Sequence, residues 1–277
     1  MLFPLIQGGS LRDEITKRKL LSDRADEMRP FDEWQILKLF RGVLRGVMAM
    51  HDKGYAHGDI KLENVLLDHC DYNNSNSNNN GSNHGQEHFL DKDDHDEEIM
   101  MMNQSSSSYV GKPILMDFGS TRNLVIQLKD RRTILQMVEE ASIHSTICYR
   151  APELFDGGCR HGPLEADVDG RADVWSCGCL LYGLMYGSSP FEMEFRGFGS
   201  EEKARIVECS HLRILGSKIP YPTGTRKMAY NYRKEMHELV EWILTIERTE
   251  RPTIEELYER VEGMLIKTRR GGGGVVV

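Results

Sequence analysis

A mostly α-helical fold is what this sequence predicts, on three observations. Ile36, Leu37, Phe40, Val43, Leu44, Val47 and Met48 recur at the spacing of one helix face. Residues 172–186, with Trp175, Leu180, Leu181, Leu184 and Met185, are apolar nearly all round, the mark of a helix buried inside a domain. Two amphipathic stretches, 237–246 and 254–266, supply outer helices to pack around it.

In chain order, the short apolar run 1–6 reads as the end of a strand entering a hinge at Gly8-Gly9. Ser10-x-x-Asp13 has the pattern of a helix N-terminus. Asp32 caps the next helix, and Gly54 closes it. Val65-Leu66-Leu67 and Ile114-Leu115-Met116 are short apolar runs. Between them, residues 71–109 are rich in Asn, Ser, Asp and Glu and poor in residues that can be buried. Such a segment cannot offset its ordering entropy, so a disordered acidic insertion is expected. Loop closure costs rise only logarithmically with length, which lets a fold tolerate it. Ile134, Leu135, Val138 and Ala141 predict a helix after the second run. The glycine-rich end, within 268–277, reads as a flexible tail.

Length and composition bound the rest. A chain of 277 residues with 39% hydrophobic content can build one sizeable core or two small ones. The formal charge is −8, but residues 71–109 carry eight Asp/Glu against one Lys, leaving about −1 for everything else. The acidity argues against nucleic-acid binding. The cysteines, at 70, 148, 159, 177, 179 and 209, form no C-x-x-C pair, and no secretory segment is recognised, so a reduced, cytoplasmic setting is expected. No apolar run approaches a transmembrane length. His84, His88 and His95 sit in the acidic stretch and read as solvated coil, while Cys177 and Cys179 read as core.

Residues just before the first apolar run, just after the second and farther along the chain form an ordered set of motifs. They are His57-Gly58-Asp59-Ile60-Lys61-Leu62-Glu63-Asn64, then Asp117-Phe118-Gly119, then Ala151-Pro152-Glu153. One such triplet arises by chance; three in this order match the H-x-D-x-K-x-x-N, D-F-G and A-P-E signature set. Gly54-Tyr55-Ala56-His57, the run from Leu115 to Ser120, the run from Thr146 to Leu154 and the run from Asp173 to Cys179 add to it. On these residues the chain resembles the C-terminal lobe of a eukaryotic serine/threonine protein kinase. Within that superfamily it is similar to the Numb-associated kinase family, in its serine/threonine kinase 16-like branch.

The resemblance implies a kinase-like C-terminal lobe over residues 1–267, with short β-hairpins. One hairpin would carry Asn64 and Asp117 at its ends. It implies ATP- and Mg2+-dependent transfer of phosphate to Ser/Thr hydroxyls of a protein substrate. Phosphoryl transfer asks for positioning and charge neutralisation more than covalent chemistry. Asp59 would be the base and Lys61 the cation at the transferred group. Thr146 would partner both and favour Ser/Thr acceptors. Asn64 and Asp117 would be the Mg2+ ligands, hard oxygen donors of the kind the ion prefers. Leu66 would lie under the adenine. His57 and Phe118 would be packing residues, Glu153 and Arg251 a buried ion pair, and Asp173 the anchor of the catalytic-loop backbone. The branch also implies endomembrane roles near the Golgi and a lipid anchor. Leu2 stands where N-myristoylation needs glycine, and the C-terminus is no prenylation signal, so that anchor is not expected.

Two departures matter. No Gly-rich loop, strand lysine or helix glutamate precedes the hinge, so a truncated N-lobe is expected and the 277 residues alone should transfer little or no phosphate. Gly58 stands where kinases usually have arginine, and glycine there is expected to loosen the loop. The sequence thus leaves two readings: a serine/threonine kinase, or a catalytically inactive kinase-derived module that binds a protein. Substrate and oligomeric state are not readable.

Overall fold

The computed structural model describes residues 6, 8–20, 31–69, 110–156, 167–197, 202–216, 218–223 and 230–271. The acidic stretch 71–109, residues 1–5 and residues 272–277 lie outside them, and with them the expected insertion, the entering strand and the three acidic-stretch histidines.

The described part is mostly helical, with short antiparallel strand pairs. Helix α1 (Leu11–Leu20) starts where Ser10 and Asp13 exchange hydrogen bonds, Ser10 N to Asp13 Oδ2 at 2.8 Å and Asp13 N to Ser10 Oγ at 3.2 Å. Helix α2 (Glu33–His51) begins with a capping box: Asp32 accepts from Gln35 N at 2.8 Å while Gln35 Oε1 accepts from Asp32 N at 3.1 Å. Its predicted apolar face is buried except for Met48, which is half-buried, and it packs on the strand Lys112–Leu115 and on the last helix.

Strands β1 (Tyr55–Ala56) and β4 (Arg122–Asn123) pair, as do β2 (Val65–Asp68) and β3 (Lys112–Leu115). This register positions the site. Residues 57–64 run from β1 to β2, and residues 116–121 run from β3 to β4, so both loops hang between the same two ladders. A third pair, β5 (Met193–Arg196) with β6 (Lys203–Ile206), lies farther along.

Helix α3 (Arg131–His144) confirms the helix expected after the second apolar run, and α4 (Glu153–Asp156) is a single turn. Helix α5 (Arg171–Tyr186) is the centre of the molecule, with every residue from Ala172 to Tyr186 buried. Gly183 leaves room there for Leu62 of the loop 57–64, whose Cδ1 would stand 2.9 Å from an added Cβ. A short α6 (His211–Leu215) follows, then α7 (Lys234–Ile243) and α8 (Ile254–Gly271).

Two boundaries differ from expectation. Helix α7 occupies 234–243 rather than 237–246, because the carbonyls of Thr245 and Ile246 turn to the buried Arg251 guanidinium, at 3.1 and 3.4 Å. Helix α8 runs on to Gly271, so the tail begins later than residue 268. Val261, Met264 and Leu265 of this helix join the core. Cys177 and Cys179 are core residues, as expected. Among the described residues no helix is long and apolar enough to cross a membrane.

Candidate active site

Asp59 is the hub of the loop between β1 and β2, and it is 8% exposed. Its Oδ2 accepts from Lys61 Nζ at 2.6 Å and from Asn64 Nδ2 at 3.1 Å. Its Oδ1 accepts from Thr146 N at 2.9 Å and from Thr146 Oγ1 at 2.7 Å. Lys61 Nζ also donates to Thr146 Oγ1 at 2.8 Å, which closes a ring of three side chains. Four of the six candidate residues therefore meet at one carboxylate. Burial would raise the Asp59 pKa, but the hydrogen bonds from Lys61 and Thr146 outweigh it and hold the carboxyl below its ordinary value of 3.8.

The sign fixes a pH expectation. A carboxyl whose pKa is depressed by folding adds stability that is present above its unfolded value and is lost as pH falls through the folded one. Asp59 stays ionised throughout the neutral range. A rate profile of the protein should show no acid limb from this group above pH 3.8. A limb near pH 6 to 7 assigned to Asp59 by its loss in Asp59→Asn would contradict the hydrogen-bonded carboxylate (~1 unit resolution suffices).

Asn64 spends its amide N–H groups on Asp59, the second bond running to the backbone carbonyl at 2.9 Å. That fixes the amide orientation and leaves the side-chain oxygen for another partner. Met116 N donates to Asn64 O at 3.0 Å, so Asp117 follows directly beside the asparagine at the end of the β2–β3 hairpin. Asp117 is exposed and adopts φ 62° and ψ 73°. It is the one non-glycine residue with positive φ among the described residues. Such backbone costs about 1–3 kcal/mol and persists where the surroundings impose it, commonly at functional sites. An amide oxygen and an exposed carboxylate suit Mg2+, which binds through one or two protein oxygens and completes its shell with phosphate and water. Leu66 is half-buried on β2, beside Ser10 of the hinge.

The support is as expected in three places. Asp173, on α5, accepts from His57 N at 2.7 Å and Gly58 N at 3.0 Å, and its Oδ2 also meets His51 Nε2 at 3.0 Å. Burial would raise the Asp173 pKa; the His51 bond, the charge of Arg122 and the backbone donors reverse this and keep it low. His57 Nε2 meets Met116 O at 3.1 Å, and its ring lies 5.6 Å from Phe118. Glu153 and Arg251 pair at 2.8 and 3.1 Å in the interior.

Two expectations change. Phe118 is 54% exposed, touching His57 on one side and covered by no described element on the other. Gly58 does not loosen the loop. It has φ +84°, its N–H is held by Asp173, and a Cβ would stand 2.4 Å from Ser120 O. Glycine is what lets the loop 57–64 lie against the segment after Asp117. Gly58→Ala should cost about 1–2 kcal/mol from the left-handed backbone alone, with more from the contact. Urea denaturation should show a lower midpoint at unchanged slope; an unchanged midpoint would refute the close approach. Cys148, in the segment before Ala151, is buried, and burial and the nearby Glu192 carboxylate push its thiol pKa up.

Two supports were missed. Ser176 Oγ donates to Tyr149 O at 2.8 Å and Ser189 Oγ to Cys148 O at 2.5 Å, fastening the segment after Thr146 onto the centre of the fold. No local pattern marks a serine whose partner is that far along the chain.

Comparison with known proteins agrees with this geometry. Serine/threonine-protein kinase 16 of Mus musculus is 29% identical over 264 residues, 95% of this chain and 65% of its own length. The Homo sapiens protein of that name gives the same figures. A probable serine/threonine-protein kinase of Dictyostelium discoideum is 33% identical over 154 residues, 55% of this chain and 37% of its own. The chain spans about 65% of the length of the first two relatives. The family described as protein kinase domain matches residues 1–261, and the chain belongs to it.

Proposed function

We propose that the chain carries the catalytic centre of a serine/threonine protein kinase, transferring phosphate from Mg–ATP to a protein hydroxyl. The observation that carries this is the ring of Asp59, Lys61 and Thr146, closed by hydrogen bonds of 2.6–2.8 Å. It presents a carboxylate and a cation together next to Asn64 and Asp117.

In this reading Asp59 orients the acceptor hydroxyl and takes its proton. Its two oxygens already accept four bonds, the full lone-pair complement of a carboxylate. An incoming hydroxyl therefore displaces one donor. Thr146 Oγ1 is the one that can leave, since Thr146 N keeps Oδ1 in place. Lys61 then faces the transferred group from the other oxygen. Asn64 and Asp117 would hold the magnesium ion, which when bound neutralises phosphate charge. Leu66 would lie under the base. The chain spans about 65% of the length of its first relatives, so the test uses the full-length protein. Full-length protein should phosphorylate a Ser-containing acceptor protein with Mg–ATP, and Asp59→Asn should lower the rate by about 10²–10⁴-fold. Binding of a protein partner with no transfer by the full-length protein would favour the inactive binding module instead.

A further inference from the structure

Arg12 is the first charged residue of α1, and nothing in its local sequence marks it. Its Nε donates to Glu63 Oε1 at 2.7 Å, and its Nη1 donates to Gly187 O at 2.6 Å and meets Ser188 Oγ at 3.5 Å. Its Nη2 stands 3.9 Å from Glu192 Oε1. The side chain is 27% exposed, so the guanidinium is largely removed from water and its bonds are correspondingly directional. Burial alone would lower its pKa, yet the neighbouring Tyr149, Glu63 and Glu192 raise it, so the cation is fixed.

Glu63 belongs to the short 3-10 turn Leu62–Asn64, with Lys61 before it and Asn64 at its end. Leu62 secures that turn from below, against Gly183 of α5. Asn64 ties the turn back to Asp59 within the same loop, while Glu63 ties it to another element, through Arg12. Gly187 caps the C-terminus of the same α5. One guanidinium thus ties the turn that aims Lys61 and Asn64 to the rigid centre of the fold and to α1.

We propose that Arg12 is a positioning residue for phosphate transfer, acting through Glu63 to hold the Lys61–Asn64 turn. The inference rests on the kinase reading above and deepens it. A misplacement on the order of 1 Å in a positioned group can lower a rate roughly 100-fold. Arg12→Ala should lower kcat roughly 10-fold to 100-fold and raise the Mg2+ concentration needed for half-maximal rate, with KM for the acceptor protein little changed.

The experiment is a double-mutant cycle in the full-length protein, with Arg12→Ala, Glu63→Gln and the pair. It reads kcat and Mg2+ dependence with ATP and dephosphorylated casein as acceptor, beside thermal denaturation. Residues acting as one link lose their effect once, so the pair should be no slower than the slower single variant. Glu63 is 43% exposed, so Glu63→Gln keeps a folded protein even where Arg12→Ala does not. A fall in Tm with unchanged kcat and Mg2+ dependence in Glu63→Gln, or strictly additive losses, would overturn the proposal. Asp59→Asn separates the two claims: if it retains activity the kinase reading fails, and if it is dead while the cycle is silent only the Arg12 link fails. A full-length protein that neither binds Mg–ATP nor transfers phosphate overturns both.

Discussion

Asp59→Asn in the full-length protein lowers kcat by about 10²–10⁴-fold while leaving the KM for Mg–ATP within a few-fold. The expectation follows from what the amide can and cannot replace. An asparagine oxygen can still accept from Thr146 N and Thr146 Oγ1, which now meet Oδ1 at 2.9 and 2.7 Å. It cannot accept a proton, and its nitrogen would face Lys61 Nζ where a carboxylate oxygen now stands at 2.6 Å. The ammonium would lose its ion pair and turn to Thr146 or to water, which the 22% exposure of the Lys61 side chain permits. The loss should therefore fall on the chemical step. Steady-state kinetics with a Ser-containing acceptor, together with Mg–ATP binding by calorimetry, reads the two separately. Activity within tenfold of the unsubstituted protein would remove Asp59 as the base. A large rise in KM for Mg–ATP would instead show that the residue serves nucleotide binding.

The parts of the molecule legible in the sequence are those whose cause is local. The face of α2 from Ile36 to Val47 follows from apolar spacing, and its start follows from Asp32 and Gln35 three residues apart. The meeting of Asp59, Lys61 and Asn64 is almost dictated by their closeness along one loop. Thr146 and Asp117 were placed by resemblance, and their positions depend on ladders, β1 with β4 and β2 with β3, that no short window contains. What sequence reasoning missed lies outside the helix or loop it was reading. The end of α7 moves because Arg251, beyond its own turn, takes two carbonyls. Gly58 looks like a loosened arginine position until Ser120 O is seen against it. Arg12 reaches Glu63 across 51 positions, with neither residue unusual where it stands.

Breaking the Glu153–Arg251 pair should have the largest effect on stability. Arg251 is 1% exposed and Glu153 4%, and the guanidinium binds both carboxylate oxygens at 2.8 and 3.1 Å. It also donates to the carbonyls of Arg171, Thr245 and Ile246, at 2.7, 3.1 and 3.4 Å. Two opposed charges in the interior are weak evidence of net stabilisation, because desolvation consumes much of their attraction. Removing one of them is different: it strands the other, and here it also orphans three carbonyls. Arg251→Met should cost about 3–5 kcal/mol, a fall in Tm of roughly 10 °C at 2–4 °C per kcal/mol. Glu153→Gln keeps an acceptor oxygen and all three carbonyl bonds, so it should cost visibly less. Urea unfolding of both variants tests the order, and a loss below about 1 kcal/mol for Arg251→Met would show that the pair is not the closed contact described. The pair also bears on rate. Glu153 ends the same segment that places Thr146 on Asp59, and Arg251 joins that segment to the start of α8. Thr146 should therefore drift from Asp59 before the fold as a whole gives way, and Arg251→Met should lose phosphate transfer at temperatures where its unfolding curve is still flat.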